Sequence, residues 1–395
     1  MRVARTLQSG QGQAPLFLYG PNNIFTRKLA SNAPLNGDQS PALKMANQLS
    51  YGNTNYSYNG SPAPSFYGYS GTGYGGAPFI NYWQYTIPVY IVSSTVPTQT
   101  VIYVEGDGVT PQPPGTAANL QNFFNAVPVP DVTKIPQGQI QATGTDGHAC
   151  FWRPSTNELW EMWRFNGSPG NYVFQYAGYT ASANTFNGIF PHDWGARATS
   201  LAAGGGLIMI QDIVDVLNGL PIRHAIGVEL GVTANATIAP ATRNDTTSTT
   251  PQFAPDGTTP NPAYGFVDGV AESTWCRFPA SFNPASAMPG AGPIQLAMAT
   301  AIRDYGMFVM DGGNGSRFNV EDTRVLGTPY SYAKVNPFAG STGAAAGHYD
   351  TRTNQYVPST WTDAALPKIT ELLDSTSIVS EIPWQNLQML QPFSS

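Results

Sequence analysis

Apolar positions fall in two rhythms along the chain, and most keep the two-residue period of strands. Ile87 to Ser93 (IPVYIVS) and Thr100 to Val104 (TVIYV) are β-branched and aromatic and flank a Pro-containing connection. Followed by the turn Glu105-Gly106-Asp107-Gly108, they predict a pair of strands. Gln139 to Thr143, His148 to Trp152, Glu158 to Phe165 and Tyr172 to Gly178 continue the series, separated by turn signals such as Asp146-Gly147 and Asn166 to Gly170. The spacing predicts a meander within a sandwich or barrel. Arg223 to Leu230 (RHAIGVEL) alternates, with His224, Ile226, Val228 and Leu230 on its core side, and Met307 to Met310 runs into the turn Asp311-Gly312-Gly313.

The helical period is rarer. Gly206 to Leu217 (GLIMIQDIVDVL) carries one apolar stripe and stops at Asn218-Gly219. A second helix starts at Pro293, a first-turn position, and ends at Tyr305 before Gly306; a third is predicted over Asp363 to Asp374. Asn235 to Ala263, rich in Thr, Asn and Pro, predicts a long surface loop. Tyr51 to Gly76 has neither period and no charge, and is dominated by Tyr, Gly, Asn, Ser and Pro. Such a segment cannot fold on its own aliphatic surface, but its tyrosines offer stiff contacts to another surface. Residues 1–78 therefore read as an extended N-terminal arm, laid over its own domain or a neighbouring subunit. Residues 79–395 read as one large domain with a C-terminal helix or extended tail. The fold class expected is mainly β: an antiparallel, jelly-roll-like β-sandwich with about three short helices.

Composition sharpens this picture. With 41 Gly and 34 Pro in 395 residues a helical protein is excluded, and with 11 % charged residues the surface must be covered by amides and hydroxyls. A net charge of -6 with few lysines leaves no basic stripe for nucleic acid. No run approaches the roughly 18 apolar residues of a membrane span, so no membrane insertion is expected, and no signal peptide is visible. Cys150 and Cys276 are too few for a disulfide framework; one bridge and two buried thiols are equally compatible with the sequence.

Candidate chemistry gathers in two places. Gly144-Thr145-Asp146-Gly147-His148 precedes the strand ELWEMWRF, in which Glu158, Trp160, Met162 and Arg164 share one face and Leu159, Glu161, Trp163 and Phe165 the other. One glutamate must then sit among aromatics, where desolvation raises a carboxyl pKa, and indoles are platforms for sugar rings. Asp146, His148 and Glu161 are the catalytic candidates, weighed against a structural reading in which the glutamates bond Arg153 or Arg164. Trp160, Trp163, His192, Asp193, Trp194 and His224 are the ligand-binding candidates. The Ala203 to Gly206 run can offer amide groups to an anion, yet it lacks a phosphate-loop or dinucleotide pattern, and close packing of a loop on the sheet is the simpler reason for its glycines. No cofactor is expected, except that Asp311 and Asn314 lie in an oxygen-rich loop compatible with Ca2+.

The strings GTDGHACFWRPSTNELWEMWRF, WGARATSLAAGGGLIMIQDIV, IRHAIGVEL and IRDYGMFVMD, in that order, resemble a family of uncharacterised, mostly actinobacterial secreted proteins. The resemblance spans about residues 127–322. It implies one fold over that span and carries Asp146, His148, Trp160, Glu161, His224 and Asp311 as matching positions. The chain departs from the family in its Tyr/Gly-rich front and the missing export signal.

A charge-poor, Gly-, Asn- and Thr-rich β-protein with an arm fits a structural or adhesive surface protein, extracellular or on a virion. In this expectation a phage-like decoration or receptor-binding component assembles with copies of itself or other subunits through residues 1–78 and touches cell-surface glycan. Two alternatives stand beside it: a secreted polysaccharide hydrolase or lyase using carboxylates near the DGH and WEMW motifs, and a subunit of an extracellular filament or surface layer.

Overall fold

The computed structural model describes residues 19–51, 57–58, 61–62, 78–81, 86–92, 94–104, 120–129, 146–217, 219–231, 233–245, 269–313, 316–322, 347–350, 355–358, 379 and 382–392. The fold is mainly strands, with few helices and mixed sheets. The larger sheet has six strands in the order Gln388–Met389, Trp275–Arg277, Met307–Gly312, Ile226–Leu230, Arg317–Asn319 and Phe79–Asn81. Ile226–Leu230 runs parallel to Met307–Gly312, and Arg317–Asn319 parallel to Phe79–Asn81; the other pairings are antiparallel. Alternation along Met307–Gly312 explains its place. Met307 and Val309 enter one apolar cluster with the helices Ser40–Tyr51, Ile210–Leu217 and Pro293–Asp304. Phe308 and Met310 enter a second cluster, shared with the smaller sheet.

The smaller sheet orders Val89–Ile91, Ala149–Arg153, Glu158–Trp163 and Tyr176–Thr180. Ala149–Arg153 and Glu158–Trp163 form the antiparallel pair that the turn signals predict, but the strand expected over Tyr172 to Gly178 is split: Tyr176–Thr180 completes this sheet, and Tyr172–Phe174 pairs elsewhere. Two further sequence expectations are corrected. The sheets are mixed rather than antiparallel throughout, and Val89–Ile91 does not pair with Val101–Tyr103. The first lies parallel to Ala149–Arg153 and the second parallel to Tyr172–Phe174. An isolated two-stranded ribbon would leave one face wet, whereas the separate pairings bury Tyr90 and Val101 in the same core.

The leading segment is also corrected where it is described. Tyr19, Ile24 and Phe25 are core residues, and Phe25 packs edge-on against Phe308 at 5.1 Å. Ser40–Tyr51 is a helix, started by Asp38, whose carboxylate accepts from Ser40 N at 2.9 Å, and it buries Ala42, Met45, Ala46 and Leu49. These residues belong to the body and not to a detachable arm. The helix predicted from Pro293 is present, with Pro293 in its first turn and Gly306 (φ +92) after its end. A Cβ on Gly306 would stand 2.2 Å from Trp275 Nε1. The stretch at 235–237 belongs to the strand Thr233–Thr237 and not to a loop; 246–268, the helix expected over Asp363 to Asp374 and the strand expected over Gln139 to Thr143 lie outside the described residues. Cys150 and Cys276 are free, buried and in different clusters.

The Gly-rich turn before the Ile210–Leu217 helix lies flat on the larger sheet, with Gly227 N donating to Gly206 O at 2.7 Å. A Cβ on Gly206 (φ +71) would meet Gly227 N at 2.5 Å, a clash with backbone that no rotamer relieves. Gly206→Ala is expected to cost about 2–4 kcal/mol, seen as a lower denaturant midpoint at unchanged slope. An unchanged midpoint would show that the turn has slack the geometry does not allow it.

Candidate functional site

The densest polar grouping in the described residues sits at the end of the larger sheet facing the smaller one. It begins with Glu229, a lone charge in an apolar strand. An irregularity in the parallel pairing between Val228 and Glu229 skips Met310 and sets Glu229 beside Asp311. Arg317 stands opposite Glu229 on the antiparallel neighbour. Glu229 accepts from Arg197 Nη1 at 2.6 Å, from Arg317 Nε and from Asn319 Nδ2, while Arg197 Nη1 lies 3.4 Å from Asp311 Oδ2. Burial alone would raise the Glu229 pKa, but Arg317, Arg197 and the donated hydrogen bonds hold it below the usual carboxyl range. Burial pushes Asp311 well up, the Glu229 charge adds to this, and Arg197 only partly opposes it. The two neighbouring carboxyls are thus shifted in opposite directions beside two guanidiniums.

Asp146 and His148 face the same network from the start of the smaller sheet's second strand. Burial, then Glu229, raises the Asp146 carboxyl. His148 is pushed down to about 3, first by burial and then by Arg197, which favours the neutral ring, and among the described residues its buried Nδ1 has no hydrogen-bond partner. On the other flank the carboxylate oxygens of Asp245, Glu272 and Asp311 lie within 4.8 Å of one another. Burial, then the bond and charge of Asp245, push Glu272 up to about 10. These oxygens are the donor set a hard divalent cation would use, and Arg197 is its built-in competitor at Asp311. Asn314 lies outside the described residues.

Backbone strain concentrates around this grouping. Arg164 (φ 53), His192 (φ 58), Asp193 (φ 58), Ser200 (φ 63) and Ser273 (φ 67) are left-handed residues with side chains, and Asn157 is the only other one among the described residues. Each costs of order 1–3 kcal/mol and persists only where the surroundings impose it, which is typical of ligand and active sites. The 192–200 turn is tied down by Arg243, whose Nη2 donates to Gly195 O at 2.9 Å and Arg197 O at 2.7 Å.

Above the network lies an aromatic rim. Trp163 and Tyr176 are cross-strand partners with ring centroids 5.6 Å apart, and Tyr176 is 46 % exposed on the edge strand. Arg164 stacks 4.3 Å from the Trp163 ring and Arg243 4.9 Å from the Tyr176 ring.

The other residues singled out from sequence lie elsewhere. Glu161 is buried in the smaller sheet, accepting from Tyr19 Oη at 2.7 Å, Ala203 N at 2.6 Å and Gly204 N at 3.0 Å; the anion that the Gly-rich run binds is the protein's own. Burial raises its pKa against the pull of these three donors. Glu158 bonds Thr156 and Tyr179 and not an arginine. Trp160 is buried and donates to Phe123 O at 2.9 Å. His224 is buried away from the rim, with Nε2 2.9 Å from Asp212 and Nδ1 2.8 Å from Ala225 O, and the Asp212 charge overcomes burial to raise its pKa. His192 and Asp193 are exposed, and Trp194 is buried beneath them, 5.4 Å from the His192 ring. The structure thus joins Asp146, His148 and Asp311 and adds Arg197, Glu229, Arg243, Asp245, Glu272 and Arg317. A charge inside an apolar strand, as in GVEL and VAESTW, is the signal that marks the added glutamates; nothing local marks the arginines. No family model, curated protein or solved structure matches the chain.

Proposed function

We propose that the chain is a structural, adhesive surface protein, a subunit of an extracellular or virion assembly, that holds a glycan on the rim of Trp163 and Tyr176. The observation carrying this reading is the cross-strand aromatic pair on an edge strand, backed by backbone strained at Arg164, His192 and Asp193. Aromatic faces with guanidinium donors beside them suit sugar rings, whose C-H faces stack and whose hydroxyls accept. The adhesive reading is favoured over catalysis because Glu158, Glu161 and Glu229 are occupied by Tyr, Thr, Arg and backbone donors. We also infer that the two sheets are the layers of a sandwich, with helices covering the outer face of the larger one. The motif resemblance to mostly actinobacterial secreted proteins belongs to the same proposal. Among the described residues no helix is long and apolar enough to cross a membrane.

One observation favours the hydrolase or lyase reading: Glu229 is held ionised while Asp146 and Asp311 are pushed toward the protonated form, the split that separates a general acid from a base. A single experiment addresses both. Binding to a polysaccharide panel is measured for the full chain and for Trp163→Ala and Tyr176→Ala, while new reducing and unsaturated ends are assayed. The proposal expects binding lost in both variants without new ends. Cleavage that disappears in Asp311→Asn would replace adhesion by catalysis, and unaltered binding in both rim variants would move the ligand elsewhere. Assembly is tested by native mass on deletion of 52–77, because a deletion through residue 51 would remove Met45 and Leu49 from the core.

A further inference from the structure

The rim carries more positive charge than the composition of the chain would lead one to expect. Only 18 of 395 residues are Lys or Arg, and two of them stack on adjacent aromatics of one strand pair. Arg164 is exposed, and its one side-chain hydrogen bond among the described residues is from Nη1 to Gln175 Oε1 at 2.9 Å. A guanidinium has five N–H donors in a fixed fork, so the edge of Arg164 that faces solvent remains available to a planar acceptor. Its left-handed backbone (φ 53) fixes that presentation at the end of the Glu158–Trp163 strand. Below, Arg197 and Arg317 converge on the single carboxylate of Glu229.

Resting on the glycan reading above, we infer that the ligand is an acidic polysaccharide, one whose sugar units carry carboxylates, with Arg164 as the principal charge contact and Arg243 as the second. Two acidic groups bound where it can lie. Asp193 and Asp245 are close enough to Arg243 to act on its charge, so an anion approaches from the Arg164 side. Asp146 is the carboxyl near Arg164; its backbone carbonyl accepts from Arg164 N at 3.0 Å, and its carboxyl is mostly buried, whereas the Arg164 side chain is exposed. A stacked guanidinium suits this ligand for a geometric reason: the ring supports one face of the cation while its edge binds a carboxylate in bidentate fashion.

The test uses the full chain and three polyuronates, polygalacturonate, alginate and hyaluronan, each beside its fully methyl-esterified form, with dextran as a neutral polymer. The acid form of at least one is expected to bind about ten-fold or more tighter than its ester, as loss of one charged hydrogen-bonding contact implies. Arg164→Gln, at an exposed position, is expected to remove most of that difference while leaving the fold intact, and Arg243→Gln to reduce it. Equal binding to acid and ester, or an acid preference that Arg164→Gln leaves undiminished, overturns the inference and leaves the glycan reading standing. Binding to none of the seven polymers overturns the inference too; the rim variants on the wider panel then decide the glycan reading by itself.

Discussion

Glu229→Gln should lower the unfolding free energy by about 3–5 kcal/mol, the loss expected when one partner of a buried ion pair is neutralised and the other charge is left without compensation. Glu229 is 1 % exposed, and its replacement would remove the 2.6 Å ion-pair partner of Arg197, itself 4 % exposed. Chemical denaturation at pH 7 measures the effect. A loss below about 1 kcal/mol would mean that solvent or Asp311 already balances the arginines, which is the surface-pair limit. The pH dependence carries the sign. Glu229, held below its ordinary pKa, contributes stability that is full above the unfolded carboxyl value and is lost as pH falls through its lower folded value. Asp311 and Glu272, pushed up, act in reverse: their contribution is full below the unfolded value and is lost as pH rises toward their folded values, about 10 for Glu272. The protein is therefore expected to be more stable at pH 5 than at pH 8. In Glu272→Gln that slope should flatten, and a slope unaltered by Glu272→Gln would assign it to other groups.

The second large effect is expected at Glu161. Its two oxygens take hydrogen bonds from three donors on two segments, the leading segment at Tyr19 and the Gly-rich turn at Ala203 and Gly204, both meeting the centre of the smaller sheet. Glu161→Ala leaves three buried donors without acceptors, each worth about 1–3 kcal/mol, for a total loss of about 3–9 kcal/mol. Tyr19→Phe removes only one donor and should cost about 1 kcal/mol. A distinguishing readout is amide exchange at Ala203 and Gly204, which should speed up in Glu161→Ala and stay slow in Tyr19→Phe. If instead Glu161→Ala unfolds at the wild-type denaturant concentration, the carboxylate is not the clasp between leading segment and core.

Glu161 also shows how far sequence reasoning reaches at a single position. The period of ELWEMWRF places one glutamate among aromatics, and that follows from strand geometry alone. Its chemistry does not follow, because Tyr19 lies 142 positions away and the glycine amides more than 40. A carboxylate among indoles is a general acid when donors are missing and a structural clasp when three are present. His148 is similar: the Asp-Gly-His turn marks it, whereas its neutral state depends first on burial in the folded core and then on Arg197, brought up by a distant turn. The helix at Ser40–Tyr51 was legible in principle, since Asp38, Pro41 and the apolar positions 42, 45, 46 and 49 form a start signal and a stripe. The Tyr/Gly run that follows it drew residues 1–78 into one irregular segment.

By itself the sequence determined the β-rich composition of the fold, the antiparallel pair from Ala149 to Trp163, the helix from Pro293 and the close seat of the Gly-rich turn, because each depends on periodicity, turn residues or steric limits within a few positions. Only the tertiary structure decided that the sheets are mixed, that Tyr19, Phe25 and the buried face of the Ser40–Tyr51 helix join the core, and that Asp146, Glu229, Asp311 and two arginines converge. Strand order and charge pairing depend on contacts between residues far apart in the chain, and their energies exist only after water has been excluded from between them.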